Sequence, residues 1–280
     1  MKIWHQSFTD LQALPRYCET LMAHAQAIVP AGVDVVVHGV APGTYPQGVA
    51  PMDFNSHPFL RMHNARQVCE AALAAEAAGY DALALGCFFD PALREARSLV
   101  DIPVVSLAET SMLTACSLGR RFALISLSDF QSRLTEDLAR SYGLTERLAG
   151  IVTMRPAVSL FELETRSESI QARFVAACQQ AAALGAEIVI PGDGVLNAFL
   201  VREKVLQVDG VVMMDPLGVL LHHAAHFARL RHHTGLGVSR KQFYARPSAP
   251  LLAHARQVNA APAMREGEFS GPRYGIAPPA

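Results

Sequence analysis

Gly79-Tyr80-Asp81-Ala82-Leu83-Ala84-Leu85-Gly86-Cys87 and Gly185-Ala186-Glu187-Ile188-Val189-Ile190-Pro191-Gly192-Asp193 share one pattern. Each has a glycine, an acidic residue, a short apolar run, a second glycine and then a chemically active side chain. The offset is 106 residues. A second pair, Val100-Asp101-Ile102-Pro103-Val104-Val105 and Val208-Asp209-Gly210-Val211-Val212-Met213, comes in the same order at an offset of 108. Preserved order at a near-constant offset indicates a duplicated half.

Around these segments, further apolar runs at 2–5, 33–38, 103–107, 122–126, 149–154 and 210–214 join 82–85 and 187–190 as candidate strands. Helical stretches are expected at 10–28, 61–78, 91–99, 109–118, 129–141, 167–184, 195–205 and 217–231. Continuous Val/Ile/Leu runs mark strands covered on both faces, and alternation with helices implies parallel sheets. The expected fold is α/β: two pseudo-symmetric, doubly wound parallel-sheet halves with a cleft between them. The halves are expected at 1–107 and 108–216, with helix 217–231 crossing back to the first. Residues 232–280, rich in Pro, Gly, Ala and Arg, read as an extended arm that orders only against another surface.

With 51% hydrophobic and 18% charged residues, a core is expected and disorder is not. A net charge of -1 gives no field for nucleic acid or an anionic membrane, and neither partner is expected. No apolar run approaches the roughly 20 residues that span a bilayer. Five scattered cysteines (18, 69, 87, 116, 178) and the opening MKIWHQSFTD suit reduced thiols and a cytoplasmic location. There is no CxxC pair, and His222 and His226 share a helix face without a third ligand, so no metal is expected.

Ligands of open parallel sheets bind beyond the carboxyl ends of strands, where Cys87 and Asp193 both fall. Asp90-Pro91 reads as the start of the next helix, Asp90 capping and Pro91 at the first position. A thiol beside that helix end would have a lowered pKa and favour thiolate. The other four cysteines sit among alanines and read as packing. Asp193 has four readings: a second acid/base, a group that positions the substrate, a group that orients water against a Cys87 adduct, or a turn residue in Pro191-Gly192-Asp193-Gly194. The loop 40–58, with prolines at 42, 46, 51 and 58, reads as a cleft edge able to act as a lid.

Gly86-Cys87-Phe88-Phe89-Asp90-Pro91, with Ile102–Glu109 and Gly119–Ser126, resembles the aspartate/glutamate/hydantoin racemase superfamily over roughly residues 1–230. The resemblance implies two pseudo-symmetric halves, each giving one cysteine across a cleft. It also implies racemisation without any cofactor: one thiolate removes the α proton and the other thiol returns one to the opposite face. Related members isomerise maleate or decarboxylate arylmalonates. Cys87 matches the first-half cysteine, and the second position is Asp193. The decarboxylases keep the second cysteine instead, the reverse of this chain. Substrate anchors carried over are Ser7, the backbone of Phe88, Ser126, Ser128 and the N–H of Gly194. Glu109 and His63-Asn64 are weaker candidates for the cleft.

The function expected from these residues is a cofactor-independent racemase, epimerase or isomerase. It would act beside a carbonyl or carboxylate of a small carboxylate or cyclic amide, with Cys87 as thiolate base or nucleophile and Asp193 as its partner. The alternatives are a Cys87-dependent decarboxylase or amide/imide hydrolase, and a non-catalytic small-molecule-binding protein. A homo-oligomer is expected from the arm.

Overall fold

The computed structural model describes residues 1–165, 167–205, 207–208 and 210–258. Its strands are β1 (Lys2–Ser7), β2 (Asp34–His38), β3 (Ala82–Gly86), β4 (Val104–Ser106), β5 (Phe122–Ser126), β6 (Leu148–Thr153), β7 (Ile188–Pro191) and β8 (Val212–Met213). The helices are α1 (Pro15–Ile28), α2 (Pro51–Asn55), α3 (Pro58–Ala77), α4 (Leu93–Leu99), α5 (Leu107–Leu118), α6 (Asp129–Ser141), α7 (Glu168–Ala183), α8 (Gly194–Arg202), α9 (Pro216–Thr234) and α10 (Ala249–Val258).

Two four-stranded sheets form, ordered β2-β1-β3-β4 and β6-β5-β7-β8, all pairs parallel. The second order repeats the first element for element, so the repeat seen in the sequence is a repeat of topology. Register brings Ser7 beside Gly86 and Ile125 beside Pro191, which aligns the carboxyl ends of the central strands. Every residue of β3, β5 and β7 is buried, the reason these strands read as unbroken apolar runs.

One face of the first sheet packs Trp4, Val36, Leu83 and Leu85 against α3 and α4. Its other face carries Ile3, Val35, Ala82 and Ala84 into a core that continues through Phe122, Leu124, Phe174 and Ile190 of the second half. α1 packs on α8, and α9 lies against α5, β3 and β4. The continuous core fixes the two sets of strand ends relative to each other.

Three local expectations change. The helix expected from residue 10 starts at Pro15, with Pro in the first turn. The helix after Cys87 does not start at Pro91: Asp90 and Ala92 have φ of 44° and 53°, and α4 begins at Leu93. Asp90 does not cap that helix. Its carboxylate accepts the N–H groups of Ala108 (3.1 Å) and Glu109 (2.9 Å) at the start of α5, with the hydroxyls of Ser106 and Tyr142.

The arm also differs from its expectation. α9 runs on to Thr234, where Gly235 at φ 72° ends it. The chain then folds back on its own first half. Arg246 bonds Asp101 (2.6 Å) and Glu76 (2.9 Å), and Arg256 bonds Glu70 (2.6 Å). The surface that orders this segment belongs to the same chain, so the arm is no argument for a second copy. Residues 259–280 of the expected arm lie outside the described residues.

Candidate active site

β1 ends at Ser7 and β3 at Gly86, and the chain turns at once into Ser7-Phe8-Thr9 and Cys87-Phe88-Phe89. From the other half, β7 ends at Pro191 and delivers Gly192-Asp193-Gly194. These segments line one small cleft with Tyr17 of α1, Pro51, Met52 and Asn55 of α2, Leu160 and Val195. Cys87 and Asp193, 106 residues apart in sequence, face a common space.

Two glycines allow this. A Cβ on Gly86 would stand 2.4 Å from Nε2 of His5, whose buried ring lies against it. Burial, with His38 nearby, pushes His5 down to about 3, so the ring is neutral. A Cβ on Gly194 would stand 3.3 Å from the carbonyl oxygen of Gly86. The two strand tips meet almost backbone to backbone.

The reactive groups differ in their surroundings. Asp193 is the N-cap of α8: its Oδ1 accepts the N–H groups of Val195 (2.7 Å) and Leu196 (3.0 Å). Its Oδ2 accepts the amide of Gln131 at 3.3 Å. Burial raises its pKa, and these donors oppose the rise without cancelling it. Cys87 is half-buried. Burial pushes its thiol far up, the carboxylates of Asp90 and Asp193 push the same way, and the N–H of Phe89 opposes them. The expectation of a lowered thiol pKa is therefore corrected. α4 starts too late to present its positive end, and the resting group is a thiol.

The hydroxyl of Ser7 is 2.7 Å from Oγ1 of Thr9 and 3.3 Å from Oη of Tyr17. Above the cleft, Asn55 Nδ2 donates to Oη of Tyr45 (3.0 Å), and that phenol donates to the carbonyl of Phe8 (2.6 Å). Asn64 Nδ2 donates to Oδ1 of Asn55 (3.1 Å), which ties α2 to α3. The cavity measures about 40 Å³, against the roughly 300–1,000 Å³ of pockets that hold small ligands, so the cleft is narrow.

The family description Asp/Glu/Hydantoin racemase matches residues 16–224, three quarters of the chain. The chain belongs to this racemase family. It is 38% identical over 87 residues to a hydantoin racemase of Pseudomonas sp. (strain NS671), a stretch covering 31% of this chain and 35% of that protein. A hydantoin racemase of Rhizobium meliloti is 27% identical over 141 residues, 50% of this chain and 57% of that one. The matches to these two relatives thus span one third to little over half of their length. In fold, the chain is similar to the allantoin racemase from Klebsiella pneumoniae, with a TM-score of 0.74, 22% identity, and 89% and 94% of the two chains covered. The allantoin racemase from Pseudomonas fluorescens gives a TM-score of 0.70 at 23% identity, covering 89% and 97%.

Of the anchors carried over to this racemase-family chain, Ser7, Phe88 and Gly194 line the cleft with Cys87 and Asp193. Ser126 and Ser128 do not. The Ser126 hydroxyl donates to the carbonyl of Ser128 (2.8 Å), and Ser128 caps α6 by accepting the N–H of Gln131 (3.3 Å). The Ser128 hydroxyl also donates to the sulfur of Met52, a lining residue, at 3.4 Å. Glu109 is paired with Arg97, and His63 packs edge-on against Phe59. Tyr17, Thr9, Met52, Asn55 and Leu160 are lining residues that sequence reasoning did not single out. The proline-rich loop that reads as a lid contains two of them. Tyr17 left one signal, a polar-tipped ring on the buried face of α1. Among the described residues, no helix is long and apolar enough to cross a membrane, and no group of three or more His, Cys, Asp or Glu is placed to hold a metal.

Proposed function

We propose that this chain racemises a neutral cyclic amide of the hydantoin type at the ring carbon beside a carbonyl. Asp193 and Cys87 would work from opposite faces of that carbon. The observation that carries the reading is the convergence of these two side chains, from opposed strand tips, on one cleft.

No Lys or Arg is among the lining residues, while Phe8, Phe88, Phe89, Met52 and Leu160 are. A free carboxylate would find no cation there and would meet Asp193. The positive end of α8 is already met by the Asp193 carboxylate. A ring with N–H donors and C=O acceptors suits a site of one carboxylate and several hydroxyls. The named activity of the hydantoin racemase relatives agrees with this.

The hydrogen bonds assign the roles. Burial favours the protonated form of both groups. The thiol, met by one N–H, is taken as the proton donor. The carboxyl, met by three N–H donors that favour its charged form, is taken as the base. Asp193 takes the α proton, breaking Cα–H and leaving an enolate-like anion. The S–H of Cys87 gives its proton to the other face, forming the new Cα–H. Negative charge thereby moves from carboxylate to sulfur. The other enantiomer runs the same steps backwards, from the thiolate and the protonated carboxyl. General acid–base partners of this kind contribute about 10²–10⁴-fold each.

The test is proton NMR in deuterium oxide, with chiral chromatography, on enantiopure 5-benzylhydantoin. Wild type is expected to convert each enantiomer to the racemate with loss of the α-proton signal and no new compound. Cys87→Ala is expected to lower racemisation at least a thousandfold with the fold intact. A ring-opened product, or full activity in Cys87→Ala, would overturn the reading.

A further inference from the structure

Tyr17, Ser7 and Thr9 form a short chain of hydroxyls in the cleft wall: Oη to Oγ 3.3 Å, Oγ to Oγ1 2.7 Å. The residues are 3%, 1% and 8% exposed. Three hydroxyls carry three protons, and two contacts use two of them. Among the described residues, no carbonyl or carboxylate accepts from any of the three. One buried donor is therefore left over, at one end of the chain, facing the cleft. An unused buried donor is costly, and one that faces a cleft is free to serve a ligand there.

The end that donates is the phenol. A phenol is the stronger hydrogen-bond acid of the two end groups. With Thr9 donating to Ser7 and Ser7 donating to Tyr17, each bond polarises the next. Oη also lies on the side where the halves meet: a Cβ on Gly194 would stand 3.8 Å from it. The ring carbon being deprotonated sits between Cys87 and Asp193, so the adjacent carbonyl oxygen falls within reach of this phenol. Burial, and the negative charge of Asp193, keep the phenol protonated.

We propose that Tyr17 is a catalytic residue whose O–H binds the substrate carbonyl oxygen and stabilises the enolate-like charge while the α proton is absent. Resting on the racemase reading above, it adds the group that makes the proton acidic enough to remove. No bond to Tyr17 forms or breaks. The hydrogen bond shortens as charge reaches oxygen, and slackens when the carbon is reprotonated.

The experiment measures racemisation of 5-benzylhydantoin by wild type, Tyr17→Phe, and a variant with 2,3,5-trifluorotyrosine at position 17. Loss of one oxyanion donor predicts a kcat about 10²–10³-fold lower in Tyr17→Phe, with KM within threefold. The fluorinated ring keeps its shape but ionises several pH units lower. Activity should then fall at a correspondingly lower pH, a shift that a packing role would not produce. Should Tyr17→Phe fail to fold, the fluorotyrosine profile decides alone. Wild-type turnover with Tyr17→Phe within threefold, or with an unmoved alkaline limb, overturns the Tyr17 role and leaves the racemase reading standing. No turnover by wild type overturns both.

Discussion

The two strand tips share a pattern and part company immediately after it. Beyond β7, Gly192 leads straight into α8 and Asp193 caps it with two backbone N–H groups. Beyond β3, Gly86 leads into six residues that are not helical, and the carboxylate at Asp90 serves α5 instead. Burial pushes both groups toward their protonated forms, but one tip opposes it with three N–H donors and the other with one. Duplicated halves need not give duplicated surroundings: the residues after each tip decide which donors its side chain meets, and on the proposed mechanism that sets base against acid.

Replacing Asp193 tests this contrast most strongly. Asp193→Asn keeps a good N-cap but removes the proposed base, so racemisation should drop about 10²–10⁴-fold with the melting temperature nearly unchanged. Asp193→Ala should lose the same activity and about 1 kcal/mol of stability in addition, read by denaturant unfolding. If the two variants differ in activity but not in stability, the cap and the base have been misassigned.

The thiol side is read by alkylation. With its pKa pushed well above the ordinary value, Cys87 should react with iodoacetamide slowly at pH 7, with a rate that climbs about tenfold per pH unit to pH 9. Cys18, Cys69 and Cys178 are also pushed up, so mass spectrometry must assign the site. Asp193→Asn should accelerate Cys87 by removing a neighbouring negative charge. A plateau below pH 8 in wild type would reverse the contrast between the tips.

A third test concerns Asp90, whose carboxyl is raised from 3.8 to about 6, chiefly by burial. The folded chain holds this proton more tightly than the unfolded chain does. The group's contribution to stability is therefore fully present below about pH 4 and is lost as pH rises through 6. The phenol of Tyr142 donates to this carboxylate from the other half at 2.5 Å. Tyr142→Phe should cost about 1.5–3 kcal/mol at neutral pH and carry the falling window above pH 6. Melting temperatures measured from pH 4 to 8 check both.

The smallest effects belong to the glycines. Gly86→Ala meets the His5 ring at 2.4 Å and should destabilise by about 1–3 kcal/mol. Gly194→Ala, at 3.3 Å from a carbonyl, should cost less, and urea midpoints would rank them. Equal costs would mean that the tips do not approach this closely.

The strands and the repeat were legible because buried parallel strands write themselves as apolar runs, as Ile188-Val189-Ile190 does. The positions of Cys87 and Asp193 were legible for the same reason, since the ends of such runs are where parallel sheets open. The role of Asp90 was not. Asp-Pro is a local helix-start pattern, but the partners of this carboxylate come from Ser106, Ala108, Glu109 and Tyr142, distant in sequence. Ser126 and Ser128 could not be placed from sequence because a hydroxyl at a strand end looks the same whether it meets a ligand or, as here, bonds within its own turn. α2 escaped because five residues between prolines carry no periodicity.

α2 is held unevenly. Asn55 is tied to Tyr45 and Asn64 on the first half, whereas Met52 meets the second half at Ser128 through a sulfur. The thioether contact is the weaker tie, so α2 would open at its Met52 edge and hinge at Asn55. Where that opening limits turnover, a more viscous solvent should slow the enzyme in proportion, and kinetics in sucrose would measure it.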